Sequence, residues 1–231
     1  MEVWRGVAVW EREGWGGRTL LGMARERVTR VLLTRHGQTV ANVEGRFCGQ
    51  SETALTPLGR DQARALGRRL AGERLAACYT SDLSRAVETA RLALGERGIV
   101  LRERVDLRER FYGEWELERE VDCKARDPVG FALMEADDPR WVPPGGEATA
   151  AVRARGEAAI REIVAGHRGE TVLVVAHGTL LNCLLACVLG LPETHTFRFA
   201  VGHCTLFEVV EEGGRLVVAR MNEGAHLDGL A

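Results

Sequence analysis

From Val28 onward, apolar runs of strand length alternate with stretches whose apolar positions recur at helical spacing. Val28–Thr34 is a short apolar strand. Thr56-Pro57 offers an N-cap followed by proline at the first helical position. Leu58, Gln62, Ala65, Leu66, Arg69 and Leu70 then follow at helical spacing, through about residue 71. Leu75–Thr80 reads as a second strand, Asp82–Leu94 as a helix and Ile99–Val105 as a third strand. Residues 106–146 show no clear period and end in the turn signal Pro143-Pro144-Gly145-Gly146. Val152, Gly156, Ala159, Ile160, Ile163 and Val164 share one helical face. Glu170–Ala176 is nearly all apolar, as a strand covered on both faces should be. Gly178–Leu189 predicts a buried helix, and Cys204–Val210 with Leu216–Arg220 a closing strand pair. No repeat, low-complexity tract or linker interrupts this order. The alternation predicts one α/β domain, a three-layer sandwich with a mostly parallel central sheet and helices on both faces.

Composition narrows the class. The 231 residues are 45% hydrophobic and 28% charged, ordinary for a globular protein with a sizeable core. A net charge of −2 leaves no global basic field for nucleic acid or an anionic membrane, so any phosphate must be held by a few focused residues. The six cysteines lack C-x-x-C spacing and no signal peptide precedes them, which predicts reduced thiols in a cytoplasmic protein. Cys183 and Cys187, one helical turn apart in an apolar run, belong to packing.

The N-terminal stretch differs. Residues 1–22 carry three of the five tryptophans, and charged residues break every apolar run, so no secretory core or membrane span forms there. Met23 opens a normal-looking start. Residues 1–27 are therefore expected to be an N-terminal extension, poorly ordered or dispensable, with residues 1–22 an appendage from a start codon placed too far upstream and a partner-binding arm as the alternative. The domain proper is expected over residues 28–231.

Candidate chemistry lies where two strands stop. Val31–Thr34 runs into Arg35-His36-Gly37, and Val172–Ala176 into His177-Gly178. Ligands of open α/β sheets bind beyond the carboxyl ends of strands, so both histidines can face one crevice.

Arg35-His36-Gly37-Gln38-Thr39 with Asn42 resembles the signature of the histidine phosphatase superfamily, in the branch of phosphoglycerate mutases and small-molecule phosphatases. The likeness continues through Gly49, Leu55-Thr56, Gly59 and Gln62-Ala63. It extends to Thr80–Ala90, Leu107–Glu116, Pro144–Glu147 and Ala176–Gly178, in the family's order. The resemblance implies catalytic roles for His36, Arg35, Arg85, His177 and Glu109. His36 would attack phosphorus as a neutral imidazole and form phosphohistidine. Arg35, Arg85, His177 and Asn42 would donate to the phosphoryl oxygens. Glu109 matches the proton donor, ahead of its neighbours Glu114 and Glu116, which read as solvated loop charges. Substrate contacts are implied for Gly37, Asn42, Cys48, Gly49, Arg110, Tyr112, Gly178 and Thr179, with Cys48 at the rim or in packing. Gly37 and Gly178 would let backbone approach the phosphate.

No metal or other cofactor is expected, because the arginine clamp can replace a cation and no carboxylate cluster stands ready to hold one. The expected partner is a small phosphorylated substrate, with neither nucleic acid nor membrane, for a monomer or homodimer. Residues 118–142 hold four basic and seven acidic side chains, a net of −3, and so make a poor cradle for a bisphosphate. This favours a phosphomonoesterase over a phosphoglycerate-mutase-like phosphotransferase. A non-catalytic phospholigand-binding member stands third. The acid-phosphatase and phytase pattern is absent, since Gln38-Thr39-Val40 stands in its place.

Overall fold

Strand β1 (Thr29–Arg35) shows how the two-residue period of a strand divides the core. Val31 and Leu33 enter one apolar cluster while Leu32 enters another. Strand β4 (Thr171–Ala176) repeats this, with Val172, Val174 and Ala176 on the first side and Leu173 and Val175 on the second. Both strands are therefore covered on two faces, as their nearly unbroken apolar runs require.

The computed structural model describes residues 28–230, so the expectations for residues 1–27 lie outside the described residues. Within them, β2 (Leu75–Ser81), β3 (Leu101–Arg104), β5 (Leu206–Glu212) and β6 (Arg215–Glu223) join β1 and β4 in one sheet. The order is β3-β2-β4-β1-β5-β6. The first four strands are mutually parallel, and β5 and β6 run antiparallel at one edge.

Helices α2 (Pro57–Arg69) and α3 (Ser84–Leu94) cover the face of Leu32, through Ala63, Leu66, Leu70, Ala86 and Ala90. Helices α6 (Thr149–Gly166) and α7 (Gly178–Val188) cover the other, through Val152, Ile160, Ile163, Leu180 and Leu184. The three-layer sandwich expected from the alternation is the fold. Thr56 caps α2 as its sequence predicts, its Oγ1 accepting from the Gly59 N–H at 3.0 Å. The six cysteines, all among the described residues, form no disulfide.

Boundaries shift where side chains compete with the ladder. β3 is shorter than Ile99–Val105, because Val105–Leu107 turns into a 3₁₀ helix. The second helix starts at Ser84 rather than Asp82, whose carboxylate binds Arg108 instead. β5 begins at Leu206, two residues later than expected, since Cys204 has left-handed backbone with φ of 56°.

The largest correction concerns residues 106–146. A short helix α1 (Val40–Val43) leads toward this segment, which contains helices α4 (Glu120–Arg126) and α5 (Pro128–Glu135). Asp127-Pro128 starts α5 as Thr56-Pro57 starts α2, with the Asp127 carboxylate accepting from the Gly130 N–H at 2.8 Å. Phe47, Trp115, Cys123, Phe131 and Trp141 form a third apolar cluster beneath these helices.

Candidate active site

Because β1 and β4 are parallel neighbours in register, their carboxyl ends stop side by side at Arg35 and Ala176. The His36 N–H continues the ladder by donating to the Ala176 carbonyl at 3.0 Å. His177 then occupies the N-cap position of α7. Two strand ends 141 residues apart in the chain thereby bring the His36 and His177 ring centroids to 5.2 Å. The two His-Gly pairs expected to face one place do meet, and adjacent strands bring them there.

His36 is prepared as a neutral base. Its Nδ1 lies 2.7 Å from the Gly37 carbonyl oxygen, which can only accept, so the proton resides on Nδ1 and Nε2 is bare. Burial, followed by the charges of Arg85 and the effects of His177 and Arg35, holds its pKa well below the usual histidine value. His177 is fully buried, and burial with Arg85 and Arg35 likewise depresses its pKa.

Arg35 and Arg85 reach the same place from β1 and α3. Arg35 Nη1 donates to the Val201 carbonyl at 3.1 Å. Arg85 Nη1 donates to the Ser51 carbonyl at 2.8 Å, and its Nη2 to the Gly49 carbonyl. Their Nε–H groups have no partner. Five buried side-chain polar atoms among the described residues lack one, and four of them belong to Arg35 Nε, Arg85 Nε and the two nitrogens of His177. Unmet buried donors are rare in folded proteins, and their concentration around one point fits an anion with several acceptor oxygens.

Glu109 stands at the first turn of α7. Its carboxylate accepts from the N–H groups of Thr179 at 3.0 Å, Leu180 at 3.3 Å and Arg110 at 2.8 Å. Its backbone carbonyl accepts from Gln50 Nε2 at 3.1 Å and Arg155 Nη2 at 3.0 Å. Tyr112 Oη and Thr179 Oγ1 are 3.1 Å apart beside it, and burial, then the Glu109 charge, pushes the Tyr112 phenol up to about 12.

Other expected contacts have different partners. Arg110 is 1% exposed, donates from Nε to the Glu147 carbonyl at 2.8 Å, and lies 4.7 Å over the Trp141 ring. Asn42 completes the capping box of α1, with Oδ1 accepting from the Thr39 N–H at 3.1 Å. Cys48 donates to the Ser51 carbonyl at 3.3 Å, and burial raises its thiol pKa. Gly37 serves a close approach of backbone to backbone, because a Cβ there would lie 2.3 Å from the Gly59 carbonyl oxygen. A Cβ on Gly178 would meet the Arg35 guanidinium at an ordinary 3.5 Å. Gly49 combines φ of 49° with a position against Glu116.

Sequence reasoning missed the groups that lock this site. Glu116, expected to be solvated, accepts from the N–H groups of Gln50 at 2.6 Å and Tyr112 at 3.2 Å and from the Ser51 hydroxyl. It therefore rivets the loop carrying Gly49 to the segment carrying Glu109. Glu114 is exposed, as expected of a solvated charge. Arg155 joins Glu147 at 2.8 Å and also donates to the Asp106 and Arg108 carbonyls. Trp115 lies at the centre of the aromatic cluster with Phe47 and Trp141. A run of acid, aromatic and glycine around Glu116 was visible, but its partners lie about 65 residues away. Among the described residues, no group of three or more His, Cys, Asp or Glu side chains has an arrangement that could hold a metal ion.

The fold and this cluster of side chains together define a class. The family model of the histidine phosphatase superfamily, branch 1, matches residues 31–224, and the chain belongs to that family. It is similar to the glucosyl-3-phosphoglycerate phosphatase of Mycolicibacterium vanbaalenii, 39% identical over 174 residues, covering 72% of this chain and 76% of that one. It is also similar to the adenosylcobalamin/alpha-ribazole phosphatase of Escherichia coli, 33% identical over 172 residues, covering 74% and 85%. Among solved structures, Bacillus stearothermophilus YhfR matches with a TM-score of 0.84 at 35% identity, covering 87% of this chain and all of that one.

Proposed function

We propose that this phosphatase of the histidine phosphatase family is a metal-independent phosphomonoesterase that works on a small phosphorylated metabolite through phosphohistidine at His36. The single observation that carries the reading is the set of four unpartnered buried nitrogens on Arg35, Arg85 and His177 around a bare imidazole nitrogen. A phosphoryl group would answer all of them at once. The two relatives named above are called phosphatases of small phosphorylated compounds, which agrees with this substrate class.

In the proposed reaction, His36 Nε2 attacks phosphorus and the bond to the ester oxygen breaks. Arg35 and Arg85 donate to the equatorial oxygens in place of a cation. A neutral His177 still has one N–H to give, and a bound dianion favours the second. Protonated Glu109 delivers its proton to the departing alkoxide. As carboxylate, it then takes a proton from the water that attacks phosphohistidine, and phosphate leaves with His36 neutral again. The backbone N–H groups of Thr179 and Leu180 fix its carboxyl for both steps.

The net acidic segment 118–142 supports a monophosphate in preference to phosphotransfer between two anionic groups. Its Lys124 pairs with Glu135, and Arg140 with Asp138. Arg110 is engaged by carbonyls and Trp141, so we assign it, with Cys48, to holding the fold.

Rapid quenching at neutral or alkaline pH tests the mechanism, in the presence of chelator throughout. With an activated aryl phosphate, the phosphate label is expected on His36, and His36→Ala is expected to abolish both label and turnover. Label on a serine or cysteine, or activity that disappears in chelator and returns with magnesium or zinc, would overturn the reading.

A further inference from the structure

The structure assigns His203 a role in the reaction as the positioning residue for the nucleophile, a proposal that rests on the reading of His36 as the attacking group. His203 lies 167 residues from His36 and belongs to none of the motifs on which the site was read, yet its ring centroid is 5.5 Å from that of His36. Its Nδ1 is 3.0 Å from the His36 carbonyl oxygen. A carbonyl only accepts, so His203 Nδ1 carries the proton and donates it.

That carbonyl needs a donor for a structural reason. At the end of β1, pairing with β5 stops after Thr34 and Leu206. His36 is buried, and its carbonyl would otherwise be an unanswered acceptor at the centre of the site. His203 answers it. The N–H at the other end of the same peptide unit, that of Gly37, donates to Thr89 Oγ1 at 3.0 Å. The peptide plane between His36 and Gly37 is therefore pinned at both edges, by His203 on one side and Thr89 on the other. Rotation of this plane would swing the following carbonyl, that of Gly37. This is the acceptor that holds His36 Nδ1–H and so aims Nε2. Fixing the plane fixes the direction of attack.

The chain around His203 is built to keep it there. Cys204 is fully buried and holds φ of 56°, a strained conformation for a residue with a side chain. Its N–H donates to the Arg35 carbonyl at 3.0 Å. Its own carbonyl accepts from His226 Nε2 at 2.9 Å. Arg35 in turn donates to the Val201 carbonyl. Burial, then the charge of Arg35, lowers the His203 pKa to about 4, so the ring stays neutral in the working range.

Three substitutions in the full chain separate positioning from packing. His203→Asn keeps an N–H close to the place of Nδ1. His203→Phe keeps a ring and loses the donor, and His203→Ala gives the same loss without a phenyl ring if that ring disturbs folding. The readouts are the rate of phosphohistidine formation with an aryl phosphate, inhibition by inorganic phosphate, and the thermal midpoint. A displacement of the order of 1 Å at a reacting atom costs about a hundredfold, so the Phe and Ala variants are expected to form phosphohistidine about ten- to a hundredfold more slowly. Inhibition by phosphate should hold near its original level, and Asn should recover most of the rate. Phe and Ala variants as fast as the parent, or an Asn variant as slow as both, would overturn the role of His203. A His36→Ala control keeps the two readings apart. If that control still turns over, the nucleophile assignment fails. If it is inactive and the parent is labelled on His36, a fast Phe variant defeats the positioning role alone.

Discussion

Arg85 and Arg110 are each 1% exposed and neither is paired with a carboxylate, yet their surroundings are opposite. In the aromatic segment, the donors of Arg110 meet the carbonyls of Glu147 and Trp141, and its flat face covers the Trp141 ring. In the crevice, Arg85 bonds two loop carbonyls through its Nη atoms, while its Nε has no partner. Burying a charge is costly wherever it happens. In one region the protein answers the charge itself, and in the other it leaves one buried donor unanswered. Burial by itself therefore separates neither structure from function. The presence or absence of partners does.

The boundary between these regions falls between adjacent residues, Glu109, whose carboxylate meets the first turn of α7, and Arg110 among the aromatics. The sharpest way to break the comparison is to change the residue on the crevice side. Glu109→Gln is expected to lose about 10²–10⁴-fold on alkyl phosphates, whose alkoxides need a proton. Phosphohistidine formation from an aryl phosphate of low leaving-group pKa should fall much less. Equal losses in the burst phase for both esters would remove Glu109 as the leaving-group acid.

The two arginines themselves give the next largest contrast. Arg85→Met is expected to weaken inhibition by vanadate about a hundredfold, since truncating one side of a desolvated charge contact costs about 2–5 kcal/mol. Its effect on the thermal midpoint should be small, because an incompletely answered buried charge is removed. Arg110→Met should do the reverse. Loss of charged hydrogen bonds and a cation–π contact is expected to cost about 2–3 kcal/mol of stability, read by denaturant unfolding, with vanadate inhibition nearly unchanged. If the two variants behave alike in both assays, the distinction drawn between the regions is wrong.

Titration sharpens the account of the histidine site. His36, His177 and His203 all have depressed pKa values in the folded chain. Below the ordinary value near 6.5 the unfolded chain takes up protons that the native crevice refuses, so stability present above that pH is lost as pH falls. His203, lowered to about 4, alone accounts for about 2–3 kcal/mol between pH 6.5 and 4. Unfolding midpoints measured down this range should fall, and vanadate or inorganic phosphate should reduce the fall by supplying negative charge. A flat profile without ligand would mean that the histidines are not held neutral by the fold.

Much of this architecture was legible in the chain. Nearly unbroken apolar runs marked β1 and β4, and helical spacing marked the apolar faces of α2 and α6, because such patterns record how an element meets the core. The placement of His36 and His177 at two strand ends was equally visible. Helix α5 was written in Asp127-Pro128 and was missed because its surroundings were read as irregular. What the tertiary structure alone decided is which distant groups meet. Glu116 clamps a loop that begins near Gly49, Arg110 turns toward Trp141, and His203 answers the carbonyl of His36 across 167 residues. Local periodicity encodes a direction for each side chain but not the partner waiting there. That partner is fixed only when the sheet order places β5 beside β1 and β1 beside β4, and the donors and acceptors at their ends come within reach.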